Sequence, residues 1–313
     1  PGETFAAPPF GQLRQALHGL TSRAELDSLL GEIAALIPGG DPFRAAALAV
    51  NCGTLVEMGG APAVLAPHLL AALPRHLALA QRTSETAFDA DPDAHRARAG
   101  LTFMMLATMA VLCRGAAFRR TARANPEIGA GVNALRAEHN ETNFVAQVLG
   151  FTDDLDLIVL APNEVKGFRV RCEAVATCAH LMSLLQAALI GGGHLVGEPV
   201  DEEVAAVATG EAPHTRLLHD HARFNFVAWP GSVESGIDSL ITMPVEETPQ
   251  YIPPLDDRRV VLVGPPVIGA RAWDSNSFAN LHDALRSRAE VVEVLSETEV
   301  RSWLERIAEA RAT

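Results

Sequence analysis

An eleven-residue stretch, HDHARFNFVAW from His219 to Trp229, holds the side chains with the clearest chemical potential. Its alternation of polar and apolar residues predicts a β-strand, because successive side chains of a strand point to opposite faces. In such a strand the apolar residues face a core. His219, His221, Arg223 and Asn225 then form a row on the opposite face.

The two histidines of this row are predicted metal ligands. An H-x-H spacing places two imidazoles about 7 Å apart on one side of a strand, which suits two ligands of one divalent ion. Such an ion would activate water or dioxygen in an enzyme that acts on an anionic substrate. The two histidines could instead serve as a general acid and a general base. A third ligand must come from another segment, and the sequence leaves open the choice among the carboxylates of a long loop and three histidines. Those histidines are His180, His194 and His214.

A second interpretation of the row is an anion-binding site. The apolar run Leu155–Ala161 and the alternating run Gly167–Cys172 predict a β-hairpin. If the hairpin shares a sheet with the histidine strand, Arg169 and Arg171 meet Arg223 beside the histidines, and guanidinium groups bind carboxylates or phosphates bidentately. The competing interpretation is structural, since an antiparallel sheet often has one solvated face that Arg and His occupy.

Composition excludes several classes of function. The 313 residues include 38 Asp and Glu against 25 Lys and Arg, and the net charge of −13 weighs against binding to nucleic acid or to an anionic membrane. The sequence contains no long uncharged apolar run, so no membrane span is predicted. Four cysteines without a C-x-x-C pair indicate reduced thiols in a bacterial cytoplasm. The motifs typical of nucleotide-binding loops, serine hydrolases and zincins are missing.

The first 150 residues are predicted to be all-α, with five or six helices in an irregular bundle or a stack of hairpins. A capping box, Ser22 to Glu25, predicts the start of one helix. Three further starts share a capping side chain followed by proline. They are Asp41-Pro42, Asp91-Pro92 and Asn125-Pro126. Prolines at 62, 67 and 74 are expected to interrupt a third apolar region.

Residues 151–313 are predicted to form an α+β domain with a small, mostly antiparallel sheet. Arg258 to Gly264 and Glu290 to Leu295 are expected strands, and a second capping box at Ser296 is expected to open the last helix. Between them lies a loop at 230–257, long enough to suggest a lid, a binding loop or an interface.

These observations together predict a soluble, cytoplasmic binding or accessory protein. It is expected to engage a protein partner, a second copy of itself or an anionic small ligand through the polar strand face and the long loop of its C-terminal half. The alternative is a metal-dependent enzyme that uses the H-x-H pair. A divalent metal is the cofactor that this alternative requires.

Overall fold

The computed structural model describes residues 22–82, 90–198, 200–221, 224–234, 242–243, 245–267, 269–274 and 277–312. The chain divides into two compact units, Pro1–Leu149 and Gly150–Thr313. The first is helical and the second combines a mixed sheet with helices, so the α+β fold class predicted from the sequence is confirmed.

Seven helices form the described part of the first unit. They are α1 (Arg23–Ala34), α2 (Pro42–Glu57), α3 (Pro62–Gln81), α4 (Pro92–Leu112), α5 (Ala116–Ala124), α6 (Pro126–Leu135) and α7 (Asn140–Gly150).

The predicted helix starts are confirmed. The Ser22 hydroxyl accepts from the Glu25 amide at 3.3 Å, and the Glu25 carboxylate accepts from the Ser22 amide at 3.1 Å. Asp41, Asp91 and Asn125 cap α2, α4 and α6 through their side chains. These caps satisfy amides that the first turn of a helix leaves without partners, which is why local sequence located them.

Helix α3 continues through Pro67 and Pro74, so the predicted interruption is wrong. Four leucines spaced four residues apart along α3 are fully buried, and they are Leu65, Leu69, Leu73 and Leu77. Each buried leucine stabilises the fold by roughly 1.5–3 kcal/mol, and each internal proline costs roughly 3 kcal/mol. The buried stripe therefore offsets both prolines. Within the described residues, α3 is the one helix whose length and composition would also allow it to cross a membrane.

The second unit contains eight strands and three helices in its described part. The strands are β1 (Leu155–Ala161), β2 (Lys166–Glu173), β3 (Leu218–His221), β4 (Asn225–Ala228), β5 (Pro254–Leu255), β6 (Arg258–Gly264), β7 (Ala270–Trp273) and β8 (Arg288–Val294). The helices are α8 (Cys178–Gln186), α9 (Glu202–Thr209) and α10 (Glu297–Ala312).

The larger sheet runs in the order β4-β6-β1-β2-β8, and β5 pairs with β6. Only the β1–β6 pair is parallel. Residues of α8 and α9 pack on one face of the sheet, and residues of α10 pack on the other. The near-continuous apolar sequence of β1 follows from this arrangement, because both of its faces are covered.

The single strand predicted from His219 to Trp229 is wrong. Its first part, β3, pairs with β7 in a separate two-stranded sheet, whereas its second part, β4, is the edge strand of the larger sheet. All four residues of β4 are buried. The alternating sequence therefore spans two strands with different partners and does not form one strand with a solvated face.

Candidate ligand-binding site

The histidine pair lies on the small sheet. His219 is exposed and lies directly opposite Ala272 of β7. The backbone of His221 pairs with that of Ala270, but its side chain, like the whole of Arg223, lies outside the described residues. Within the part of the chain that is described, no group of three His, Cys, Asp or Glu side chains is arranged to hold a metal ion. The metal-binding role of His219 and His221 stays a prediction.

Arg169 and Arg171 lie on β2 of the larger sheet, so they do not share a sheet with the histidines. The Arg169 guanidinium forms a fork on the Asp156 carboxylate, with Nε–Oδ1 and Nη2–Oδ2 distances of 2.9 and 2.7 Å. Arg258 also donates to Asp156. The hydrogen bond from Arg169 is the main reason that the pKa of Asp156 is lowered. Arg169 is therefore engaged within its own sheet, and Arg171 is exposed beside it.

Asn225 was expected on a solvated face but is 1% exposed. It opens β4 opposite Gly264, and three strand spacings separate β4 from β2. That separation is roughly 14 Å across the sheet. The predicted set of Arg169, Arg171 and Asn225 is thus not brought together, because strand order was decided by pairings that the local sequence does not encode.

A pocket of about 390 Å³ with mixed polar and apolar walls lies beside β7, and we call it the β7 pocket. Four parts of the second unit supply its walls. Thr177 and Ala179 come from the start of α8, Leu217 precedes β3, Val245 and Glu246 belong to the long loop, and Ala272, Trp273, Asp274 and Ser277 come from β7 and the turn after it.

His219 connects the predicted site to this pocket. In an antiparallel pair, directly opposite side chains lie on the same face, so His219 shares a face with Ala272. Leu217 lies two residues earlier on that face, and both Leu217 and Ala272 line the pocket. Of the six predicted site residues, His219 is therefore the one whose described position borders the β7 pocket.

The long loop is a fixed wall of the pocket. The amides of Cys178 and Ala179, in the first turn of α8, donate to the carbonyls of Glu247 and Val245 at 2.7 and 2.9 Å. Met243, from the same loop, is fully buried. The loop thus satisfies orphan amides of a helix terminus and contributes to the core. We therefore expect its removal to destabilise the second unit.

The polar groups of Thr177 and His180, at the start of α8, also have hydrogen-bond partners. The Thr177 hydroxyl accepts from the His180 amide at 3.1 Å and lies 2.8 Å from the Ser277 carbonyl. The His180 ring is fully buried, accepts from the Ala176 amide at 3.1 Å and donates to the Ala208 carbonyl at 2.7 Å. An amide can only donate and a carbonyl can only accept, so the ring is neutral with its proton on Nε2.

Trp273 is the exception in the pocket wall. The residue is 5% exposed, and its Nε1–H is buried without a hydrogen-bond partner among the described residues. A buried donor without an acceptor costs about 1–3 kcal/mol. Trp273 is among the residues that line the pocket, but it alternates with Ala272 along β7, so its side chain lies on the buried face of the strand. Its Nε1 atom is inaccessible to solvent, so a ligand could supply an acceptor only if the indole turned towards the pocket.

The described charges of the pocket are negative, since Glu246 and Asp274 both contribute to its wall. Ser277 donates from its hydroxyl to the Asp274 carboxylate at 3.3 Å. The nearest guanidinium on the same strand, Arg271, is buried and donates to the Phe224 carbonyl and the Gln186 side chain. This arrangement favours a cationic group over an anionic one.

Cys178 and His180, two potentially reactive residues of α8, are fully buried and do not line the pocket. Burial raises the pKa of the Cys178 thiol to about 12, so the nucleophilic thiolate is not formed at neutral pH. Both ring nitrogens of His180 are already hydrogen-bonded to backbone groups.

Sequence reasoning indicated the long loop and His219 but missed Trp273, Thr177 and Asp274. No motif marks these residues, because each contributes through a tertiary contact. No protein-family model, curated protein or solved structure matches this chain.

Proposed function

We propose that this protein is a binding protein whose β7 pocket holds a small polar molecule with an ammonium group and an oxygen acceptor. The observation that carries the proposal is the presence of two carboxylates, Glu246 and Asp274, and no described cationic side chain in the wall of the pocket. The acceptor of the ligand pairs with the buried Nε1–H of Trp273 when the indole turns towards the pocket. The ammonium group pairs with the carboxylates of Glu246 and Asp274.

The size and construction of the pocket support this proposal. Its volume of about 390 Å³ lies in the range of small-molecule sites. Its walls are hydrogen-bonded to one another before a ligand arrives, through the Thr177–Ser277 and α8–loop contacts. A pre-formed site loses little conformational entropy on binding.

The test uses three probes of equal length with the full chain: 4-amino-1-butanol, 1,4-butanediol and 4-hydroxybutanoate. Thermal shift and titration calorimetry are expected to rank the amine first, the diol second and the hydroxy acid last. A ligand at 100 times its Kd adds about 2.7 kcal/mol to the free energy of unfolding. If the hydroxy acid binds best, the pocket selects anions and the proposed ligand class is wrong.

Two substitutions locate the bound amine. Glu246→Gln is expected to weaken binding by up to about fivefold, the value of a partly exposed ion pair. Glu247→Gln is the matched control, because Glu247 is the neighbouring exposed carboxylate but does not line the pocket. Equal losses of affinity in the two variants would show that the amine responds to the overall negative charge of this region. That result would contradict binding in the β7 pocket.

Trp273→Phe tests the indole donor. The variant keeps an aromatic ring and removes Nε1–H, so binding of the amine is expected to weaken by about fivefold, the value of one hydrogen bond. Trp303→Phe, on α10 at the opposite face of the sheet, is expected to leave the affinity unchanged. An unchanged affinity in Trp273→Phe would refute the role of this donor.

A further inference from the structure

A second cavity, of about 650 Å³, lies within the helical unit, and we call it the α3 groove. It is independent of the β7 pocket and of the function proposed for it. One face of α3 forms its floor with residues spaced three and four apart, and these are Ala63, Ala66, Pro67, Leu70 and Ala71. Helices α5 and α6 supply the remaining walls, which include Phe118 and Ile128. None of the described side chains that line the groove is ionisable.

The two internal prolines of α3 leave backbone carbonyl groups along this apolar groove without their usual helical donors. A proline has no N–H, so the carbonyl four residues earlier loses its regular helical donor. Pro67 removes the donor for the Ala63 carbonyl, and Pro74 removes the donor for the Leu70 carbonyl. Both Ala63 and Leu70 line the groove. Two backbone carbonyls that lack the amide donor of a regular helix therefore belong to residues along one apolar surface.

Two polar side chains lie at the rim of the groove, and each makes a hydrogen bond to the backbone. The Thr121 hydroxyl donates to the Ala117 carbonyl at 3.0 Å, and the side-chain oxygen Oδ1 of Asn125 accepts from the Glu127 amide at 3.0 Å. The groove therefore offers its occupant an apolar surface and backbone acceptors, with the Asn125 side-chain amide at the rim. Its volume fits a small molecule.

We infer that the α3 groove binds an uncharged, apolar small molecule that carries one hydrogen-bond donor, such as a hydroxyl or an amine N–H. The apolar body lies against the alanines of α3 and the Phe118 ring. The donor pairs with the carbonyl of Ala63 or of Leu70. A charged group is disfavoured because no counter-charge lines the groove.

The first test uses the fluorescent probe N-phenyl-1-naphthylamine with the full chain. Saturable binding of one probe per chain is expected. Ala71→Leu adds bulk at an exposed position of the groove floor, and it is expected to weaken binding by about tenfold. Ala78→Leu is the matched control, because Ala78 is exposed on the same helix but does not line the groove. Equal affinities in the two variants would overturn the assignment.

The second test separates the donor from the apolar body. The N-methylated probe has no N–H and is expected to bind about fivefold more weakly, the loss of one neutral hydrogen bond. Pro67→Ala and Pro74→Ala together restore the helix amides that pair with the Ala63 and Leu70 carbonyls, so the double variant is expected to bind both probes equally. A fivefold preference that survives in the double variant overturns the role of the carbonyls.

The third measurement examines the other occupants of an apolar groove. Analytical ultracentrifugation of the full chain is expected to give the same mass for the native protein and Ala71→Leu. A dimer that Ala71→Leu dissociates would show that a second copy covers the groove, which overturns the small-molecule assignment.

Discussion

His180 makes the stability of the second unit sensitive to pH. Its imidazole is fully buried, and burial lowers its pKa from 6.5 to about 4, although the Ala208 carbonyl opposes this shift. The folded state therefore resists protonation of the ring, whereas the unfolded chain accepts the proton near pH 6.5. The contribution of the neutral His180 imidazole to the free energy of unfolding is fully present above pH 6.5, and it is lost as the pH falls from 6.5 towards 4.

The size of the effect follows from the two pKa values. One pKa unit corresponds to about 1.4 kcal/mol. Because the pKa shifts from 6.5 to about 4, acidification through this range lowers the free energy of unfolding by about 3 kcal/mol. The loss proceeds at up to about 1.4 kcal/mol per pH unit. A loss of this size is a large fraction of the stability of a typical domain.

The assay compares the native protein with His180→Gln in urea between pH 7 and pH 4. A glutamine can accept and donate in place of the two ring nitrogens but does not titrate. The three tryptophans, Trp229, Trp273 and Trp303, all lie in the second unit, so their emission reports its unfolding. The free-energy difference between the two proteins is expected to change by about 3 kcal/mol over this range, because contributions from other groups cancel. A constant difference would refute the neutral, buried imidazole.

Three further outcomes are expected. Trp273→Phe is expected to destabilise the free protein less than Trp229→Phe, because the Trp229 Nε1–H donates to a carbonyl at 3.1 Å and that of Trp273 has no described partner; equal losses in urea unfolding would contradict this. The stability difference between the native protein and Asp156→Asn is expected to be full above pH 3.8 and to vanish as the pH falls through the lowered pKa of Asp156; a difference that persists at the acid end would show that Arg169 does not stabilise the carboxylate. Pro74→Ala is expected to raise the free energy of unfolding of the helical unit by up to about 3 kcal/mol, measured by circular dichroism, and a lowered midpoint would show that the ring is needed for packing.

The sequence predicted the features that depend on neighbours along the chain. Helix starts at Ser22, Asp41, Asp91 and Asn125 were found because a cap and its target amide lie within three residues of each other. Strand β6 was predicted with the bounds that the structure has, Arg258–Gly264, because its apolar run is closed by a glycine.

Features that depend on distant partners were missed. Strand β7 has only four residues, two of them exposed, so its sequence carries no strand signal. Its pairing with β3 is what separates His219 from Asn225. Arg169 was predicted to bind an external anion. Its guanidinium is instead bonded to the carboxylate of Asp156, which lies on the neighbouring strand. A guanidinium on a strand has the same local pattern whether its partner is a ligand or a carboxylate of the same sheet.

The unpartnered indole of Trp273 contrasts with the hydrogen-bonded groups at the start of α8. Buried polar groups in folded proteins are nearly always hydrogen-bonded, and the pocket follows this rule at Thr177, at His180 and at the amides of Cys178 and Ala179. The second unit also buries Ser183 Oγ, His214 Nε2 and Asn280 Oδ1 without a partner among the described residues. The indole therefore supports the proposed ligand only together with the volume and the carboxylates of the β7 pocket.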